Sequence, residues 1–82
     1  MLYLAHVGAE LEPGTEGPWE ALWPLGPGLL LVRSAEHRSA VYHGLKDVLP
    51  RGSALLVAEL DEPPKMKGMP PGSLAWARRA LS

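Results

Sequence analysis

Apolar residues are densest between Leu29 and Leu60, LLLVRSAEHRSAVYHGLKDVLPRGSALLVAEL, and their spacing changes twice along that stretch. Leu29, Leu30, Leu31 and Val32 form an unbroken apolar run, too short for a helix and bounded upstream by Gly26-Pro27-Gly28. That pattern predicts a strand buried on both faces. Val41, Leu45 and Val48 then recur at i, i+4 and i+7, with Ala40, Gly44 and Leu49 alongside, which makes one helical stripe. Ser39, His43 and Lys46 share the opposite, solvated face. Ser34 is the predicted N-cap, its hydroxyl accepting from a backbone N–H one turn on, and Glu36 sits where the helix dipole favours an anion. Pro50 ends the helix because it has no N–H and restricts the residue before it. Arg51-Gly52 turns the chain into Ala54–Leu60, ALLVAEL, a second strand predicted to be buried on both faces. A strand, a crossover helix and a strand in one sheet form a right-handed parallel unit, so the fold class is α/β (α+β).

Upstream, LYLAHVG over Leu2–Gly8 is apolar on both faces and reads as an interior strand. It lacks a basic leader and a cleavage site, so no signal peptide is expected, and it is too short to span a bilayer. Glu10 to Gly17 is a Gly/Pro/Glu-rich loop. Pro18 suits a first helical position, and Trp19, Leu22 and Trp23 share a face at i, i+3 and i+4, so a short first helix is expected before Pro24. Gly26-Pro27-Gly28 is a turn. Two topologies follow: a simple β-α-β-α-β, or the ferredoxin-like β-α-β-β-α-β, in which Trp23-Pro24-Leu25 is a vestigial second strand.

Residues 1–62 are expected to be one compact α/β domain. Residues 63–82 are a Pro/Gly-rich arm and a short C-terminal helix, packing on the same domain or on a partner chain. Ser73 is the expected cap of that helix, with Leu74, Ala77 and Leu81 as its apolar face. In a ferredoxin-like layout the helices cover a single face of the sheet. The other face would then be an apolar patch larger than monomers tolerate, which predicts a homo-oligomer, with a symmetric dimer the commonest form. The alternative is that the arm and last helix fold across that face.

Eighty-two residues suffice for one domain with a modest core. Cysteine is absent, which excludes disulfides and thiolate metal sites and fits a cytoplasmic location. The net charge of −1 implies no global attraction to nucleic acid or membrane. Its distribution is uneven: Glu10, Glu12, Glu16 and Glu20 precede Arg33 without a single cation, whereas Lys65, Lys67, Arg78 and Arg79 follow Glu62 without a single anion. Such asymmetry marks a partner surface, or pairs the two ends of one chain or of two. Asn, Gln and Cys are missing and prolines fill the loops, the composition of a thermostable protein.

Candidate chemistry is sparse. His6 lies in the first strand, and His37 and His43 are six apart on the helix, a spacing that does not converge on a metal. Glu59 and Asp61 would point the same way at a strand end, with Glu62 beside them, where a carboxylate pair could exchange protons or simply keep an edge soluble. Ser34, Ser39, Ser53 and Ser73 have cap or turn explanations, and none stands in a nucleophile elbow. No phosphate loop is present and no cofactor is implied. Lys65, Lys67, Arg78 and Arg79, with Trp76 nearby, are the candidate nucleic-acid-binding residues: cations that can track phosphates beside a ring that can stack on bases.

Leu30-Leu31-Val32-Arg33-Ser34, Ser39-Ala40-Val41-Tyr42, Leu45, Leu49 and Leu55-Leu56-Val57-Ala58-Glu59-Leu60 together resemble small ferredoxin-like proteins similar to the second CRISPR-associated core protein family. The resemblance covers about half the chain. It implies a ferredoxin-like sheet, a homodimer and a C-terminal segment that reaches across to the partner. In that family a metal-binding aspartate follows the first strand. Here the matching region reads Ala5-His6-Val7-Gly8, with no carboxylate before Glu10, so no catalytic residue and no metal ligand carries over. The expected function is a homo-oligomeric interaction module without catalysis; the alternative is a nucleic-acid-binding or metal-dependent nuclease-like protein.

Overall fold

The computed structural model describes Met1–Ser82. It is an α+β fold with element order β1 (Leu2–Val7), β2 (Ala21–Gly26), β3 (Leu29–Arg33), α1 (Arg38–Val48), β4 (Leu55–Leu60) and α2 (Ser73–Leu81). The four strands make one sheet in the order β2-β3-β1-β4, and every neighbouring pair is antiparallel. β3 and β4 flank β1, each antiparallel to it, so they run in the same direction without touching. The expected β3-α1-β4 unit is therefore split by β1, and the simple parallel β-α-β-α-β topology is excluded.

The first helix expected at Pro18–Trp23 does not form. Ala21–Gly26 is instead a strand, hydrogen-bonded to β3 with Leu22 opposite Val32 and Trp23 opposite Leu31. The spacing of Trp19, Leu22 and Trp23 imitates a helix face, but Leu22 and Trp23 point to opposite faces of the sheet and enter different cores. Pairing with β3 outweighs local propensity for so short a segment. The second strand is thus a full six residues rather than a vestige. Pro27-Gly28 closes the hairpin, with Gly28 at φ 73°, a backbone conformation that suits glycine after proline in a tight turn.

Each face of the sheet carries one helix. On the first, Tyr3, Ala5 and Val7 of β1 and Leu30 and Val32 of β3 pack against Val41 and Leu45 of α1. Where the first helix was expected, Pro18 and Trp19 lie directly on Gly44 of α1, and the Trp19 indole donates to the Thr15 carbonyl (2.8 Å). On the second face, Leu2, Leu25 and Leu31 are buried beneath Ala77 and Ala80 of α2. This corrects the expectation that the helices leave one face bare: the C-terminal helix folds across it. Trp76 stacks on Trp23 at 5.8 Å between ring centroids, and the Trp23 indole donates to the Ser73 hydroxyl (2.8 Å).

Helix ends differ from expectation too. His37 caps α1, its Nδ1 accepting from the Ala40 N–H (3.3 Å). Ser34, three residues earlier, is fully buried, accepting from the Glu36 N–H (2.9 Å) and donating to the Pro18 carbonyl (2.6 Å). It therefore closes a turn that ties β3 to the first loop. Val48, assigned to the apolar stripe, is exposed, and Leu49 is buried in its place. Gly72 precedes α2 at φ 89°, while Ser73 forms its first residue and donates to the Pro70 carbonyl (2.6 Å). The inner side of α2 is Ser73, Ala77 and Ala80; Leu74 faces outward.

Candidate interaction edge

The order β2-β3-β1-β4 leaves two strands with an unpaired side, and they are built differently. β2 contains Pro24, which has no N–H to offer, and its register to β3 shifts between Pro24 and Gly26. Proline and a bulge both blunt an edge against pairing. β4, LLVAEL, has neither, and pairs in unbroken register with β1 from Leu2–Leu60 to Val7–Leu55. None of its residues is fully buried, which corrects the expectation of a strand covered on both faces. The cause is its position at the sheet edge: α2 packs on β1 and β2 and leaves most of the same face of β4 uncovered.

Which backbone groups are free follows from the antiparallel alternation. Gly8 N–H donates to the Ala54 carbonyl (2.8 Å), so Ala54, Leu56, Ala58 and Leu60 direct their peptide groups at β1. Leu55, Val57 and Glu59 direct theirs outward. Side chains alternate in the same rhythm: Leu55 and Val57 lean onto the α1 core, whereas Leu56 projects from the second face and is 57% exposed. The strand thus presents a row of free donors and acceptors beside uncovered apolar surface.

The two ends of this edge differ in charge. At its start, Lys46, Asp47, Arg51 and Ser53 line a recess of about 520 Å³, together with Tyr42 and Leu55. At its end stand Glu59, Asp61 and Glu62, all exposed. Glu59 lies opposite Tyr3 in the β1–β4 ladder. Tyr3 is buried and its hydroxyl donates to the Glu36 carbonyl (2.7 Å). Burial pushes the Tyr3 pKa above its ordinary value, the Glu59 and Glu36 charges add to that, and Arg38 opposes it.

The other candidates fare differently. Lys65 and Lys67 lie in the segment between β4 and α2, and Arg78 and Arg79 in the last turn of α2; all four are exposed. The one ion pair in the chain joins Arg33 to Glu20 (3.9 Å), so the acidic first loop and the basic tail do not pair with each other. Trp76, considered as a base-stacking ring, is held against Trp23. No three His, Asp or Glu side chains converge to hold a metal ion. The Ser53 and Ser73 hydroxyls each donate to the carbonyl of a proline three residues back, as turn residues do, and Ser34 donates to the Pro18 carbonyl across the fold. A second recess, about 340 Å³, lies between the first loop and the β2-β3 hairpin with Glu10 and Glu12 at it, and carries no nucleophile.

Neither Tyr42 nor Lys46 nor Arg51 stands out in the sequence, because helix and turn surfaces are ordinarily charged. One local signal for the edge was present: Glu59, a charge inside an otherwise apolar strand, is how natural edge strands are often marked. Comparison with known proteins finds no family model, no curated protein and no solved structure that matches this chain.

Proposed function

We propose that this protein is a homo-oligomeric interaction module without catalysis, working as a dimer and built on a ferredoxin-like sheet whose first helix is replaced by the Pro18–Trp19 loop. The strand order and the split β3-α1-β4 unit support the ferredoxin-like description. The observation that carries the dimer is the β4 edge, six residues long, free of proline and bulge, beside the exposed Leu56. Such an edge offers a row of free backbone groups to another strand, its single charge, Glu59, standing near one end, and the commonest closed assembly of one chain is a two-fold dimer. Light scattering at micromolar concentration tests it: a mass of two chains is expected, and a strictly monomeric mass sinks the module as described.

A second reading, nucleic-acid binding, is favoured by one observation: Lys65, Lys67, Arg78 and Arg79 are all exposed and none is in an ion pair. Labelled single-stranded RNA and duplex DNA titrated at two salt concentrations, with and without magnesium or manganese, test that reading. Binding that weakens steeply with salt supports it, metal-dependent cleavage extends it to a nuclease-like activity, and no binding at low salt retires it.

A further inference from the structure

We infer that the partner of the β4 edge is β4 of a second copy, antiparallel and centred on Val57, with the acidic end of each strand seated at the basic recess of the other. This rests on the dimer proposed above and specifies its interface. Backbone geometry comes first. The outward peptide groups belong to Leu55, Val57 and Glu59, and a two-fold axis at Val57 opposes Val57 to Val57 and Leu55 to Glu59. Every outward group of the strand then has a partner. A centre at Leu56 would leave the Glu59 pair outside β4, opposite Ser53.

Charge selects the same direction independently. A parallel pairing would set Glu59, Asp61 and Glu62 beside their own copies, where like charges repel. The antiparallel pairing brings Asp61 up to Ser53 of the other chain, at the end of the turn that carries Arg51 and beside the recess Arg51 lines. Glu59 stands on the α1 face by strand alternation with Leu55 and Val57, and Arg51 and Ser53 line the recess together with Lys46 and Leu55. Asp47 is the one anion lining that recess, against Lys46 and Arg51. On the opposite face, Leu56 falls across from Ala58, whose small side chain leaves room for it. The same contact that satisfies the edge therefore covers the most exposed large apolar side chain of the sheet.

Charge reversal tests the seating without disturbing the fold, because Arg51 and Asp61 are exposed. Sedimentation equilibrium of the full chain is expected to give a dimer whose dissociation constant rises about tenfold in Arg51→Glu and in Asp61→Arg, by turning attraction into repulsion across both symmetry-related contacts. The double variant, Arg51→Glu with Asp61→Arg, restores the pairing with signs exchanged and recovers most of the affinity. A dimer indifferent to both reversals, or one the double variant fails to rescue, overturns this interface while leaving the dimer itself standing. A monomeric wild-type chain overturns both. Register has its own readout, since the chain has no cysteine. An equal mixture of Leu56→Cys and Ala58→Cys chains is expected to form an interchain disulfide that neither forms alone, because only opposed residues come within disulfide distance. Cross-linking of Leu56→Cys with itself would move the centre to Leu56 and overturn the register.

Discussion

The two faces of the sheet are covered by unlike means. On the α1 face, a helix and the Pro18–Trp19 loop close over nine buried residues, all but Ala5 with bulky side chains, from β1, β2, β3, α1 and its C-cap Leu49. On the α2 face five residues are buried, two of them alanines, and much of the surrounding surface is half-covered: Leu4, Trp23, Leu29, Leu60 and Trp76. The first face is held by bulk, the second by a lid with a stack and a hydrogen bond fastening it to β2. A face closed by a small-residue helix leaves its margin open, and here the margin is β4. The folding core and an uncovered edge therefore lie on one sheet, because the second helix packs on β1 and β2 and not on β4.

The largest effect should come from the heart of the first face. Leu45 is fully buried among β-strand side chains, and Leu45→Ala is expected to cost about 3 kcal/mol, transfer and cavity terms together. Leu25 on the second face is also buried but sits at the rim of a thinner core; Leu25→Ala should cost about 2 kcal/mol. Urea denaturation of the two variants compares them directly. Equal or inverted costs would mean that the two faces are packed alike.

Next comes the lid. Trp76→Ala removes the stack on Trp23 and part of the α2 contact, about 2 kcal/mol in all. Its signature should be local: amides of α2 lose hydrogen-exchange protection while those of β1 and β3 keep theirs. If the whole sheet loses protection in step, α2 is integral to the fold and the separable lid is wrong.

A smaller effect has an unexpected sign. Glycine to alanine in a helix interior ordinarily stabilises by about 1 kcal/mol. At Gly44 a Cβ would run into the Pro18 ring and approach Trp19, so Gly44→Ala should instead destabilise by about 1 kcal/mol net. Thermal denaturation decides: a raised melting temperature would show that the loop yields easily and does not stand in for a helix.

How much of this was legible beforehand depends on the range of the interaction. α1 and β3 were readable because their signals are local: a 3.6-residue stripe, a short apolar run, a proline stop. The N-cap of α1 was placed at Ser34 instead of His37, since both suit a cap and only the buried contact of Ser34 with Pro18 separates them. β2 was misread because Pro18 and the Trp19, Leu22, Trp23 spacing satisfy a helix rule, while the evidence for a strand lies in its partner β3. The cover of the second face was offered as the lesser alternative. Its fastening joins Trp23 to Ser73, fifty residues apart, and no local pattern reports such a contact. β4 shows the same limit: an apolar run describes an interior strand and a bare edge equally well, and only the sheet order distinguishes them.

The smallest effect links the packed face to the edge through Tyr3. Tyr3→Phe leaves the Glu36 carbonyl without its donor and should cost about 1 kcal/mol at neutral pH. The alkaline behaviour carries more information. Burial first, and the Glu59 carboxylate second, hold the folded Tyr3 pKa above its ordinary value. As pH rises the unfolded chain loses this proton first, so the native state is favoured in full below about pH 10. That contribution is lost as pH climbs from the ordinary to the raised value. Stability should therefore fall in this window for the wild type and fall less steeply for Tyr3→Phe, which has no proton to lose there. Glu59→Gln, removing one cause and leaving the burial, should lie between the two. Denaturation midpoints at neutral pH and above pH 10 measure all three, and identical slopes would mean that Tyr3 meets water in the folded chain and that the first face is less sealed than the second.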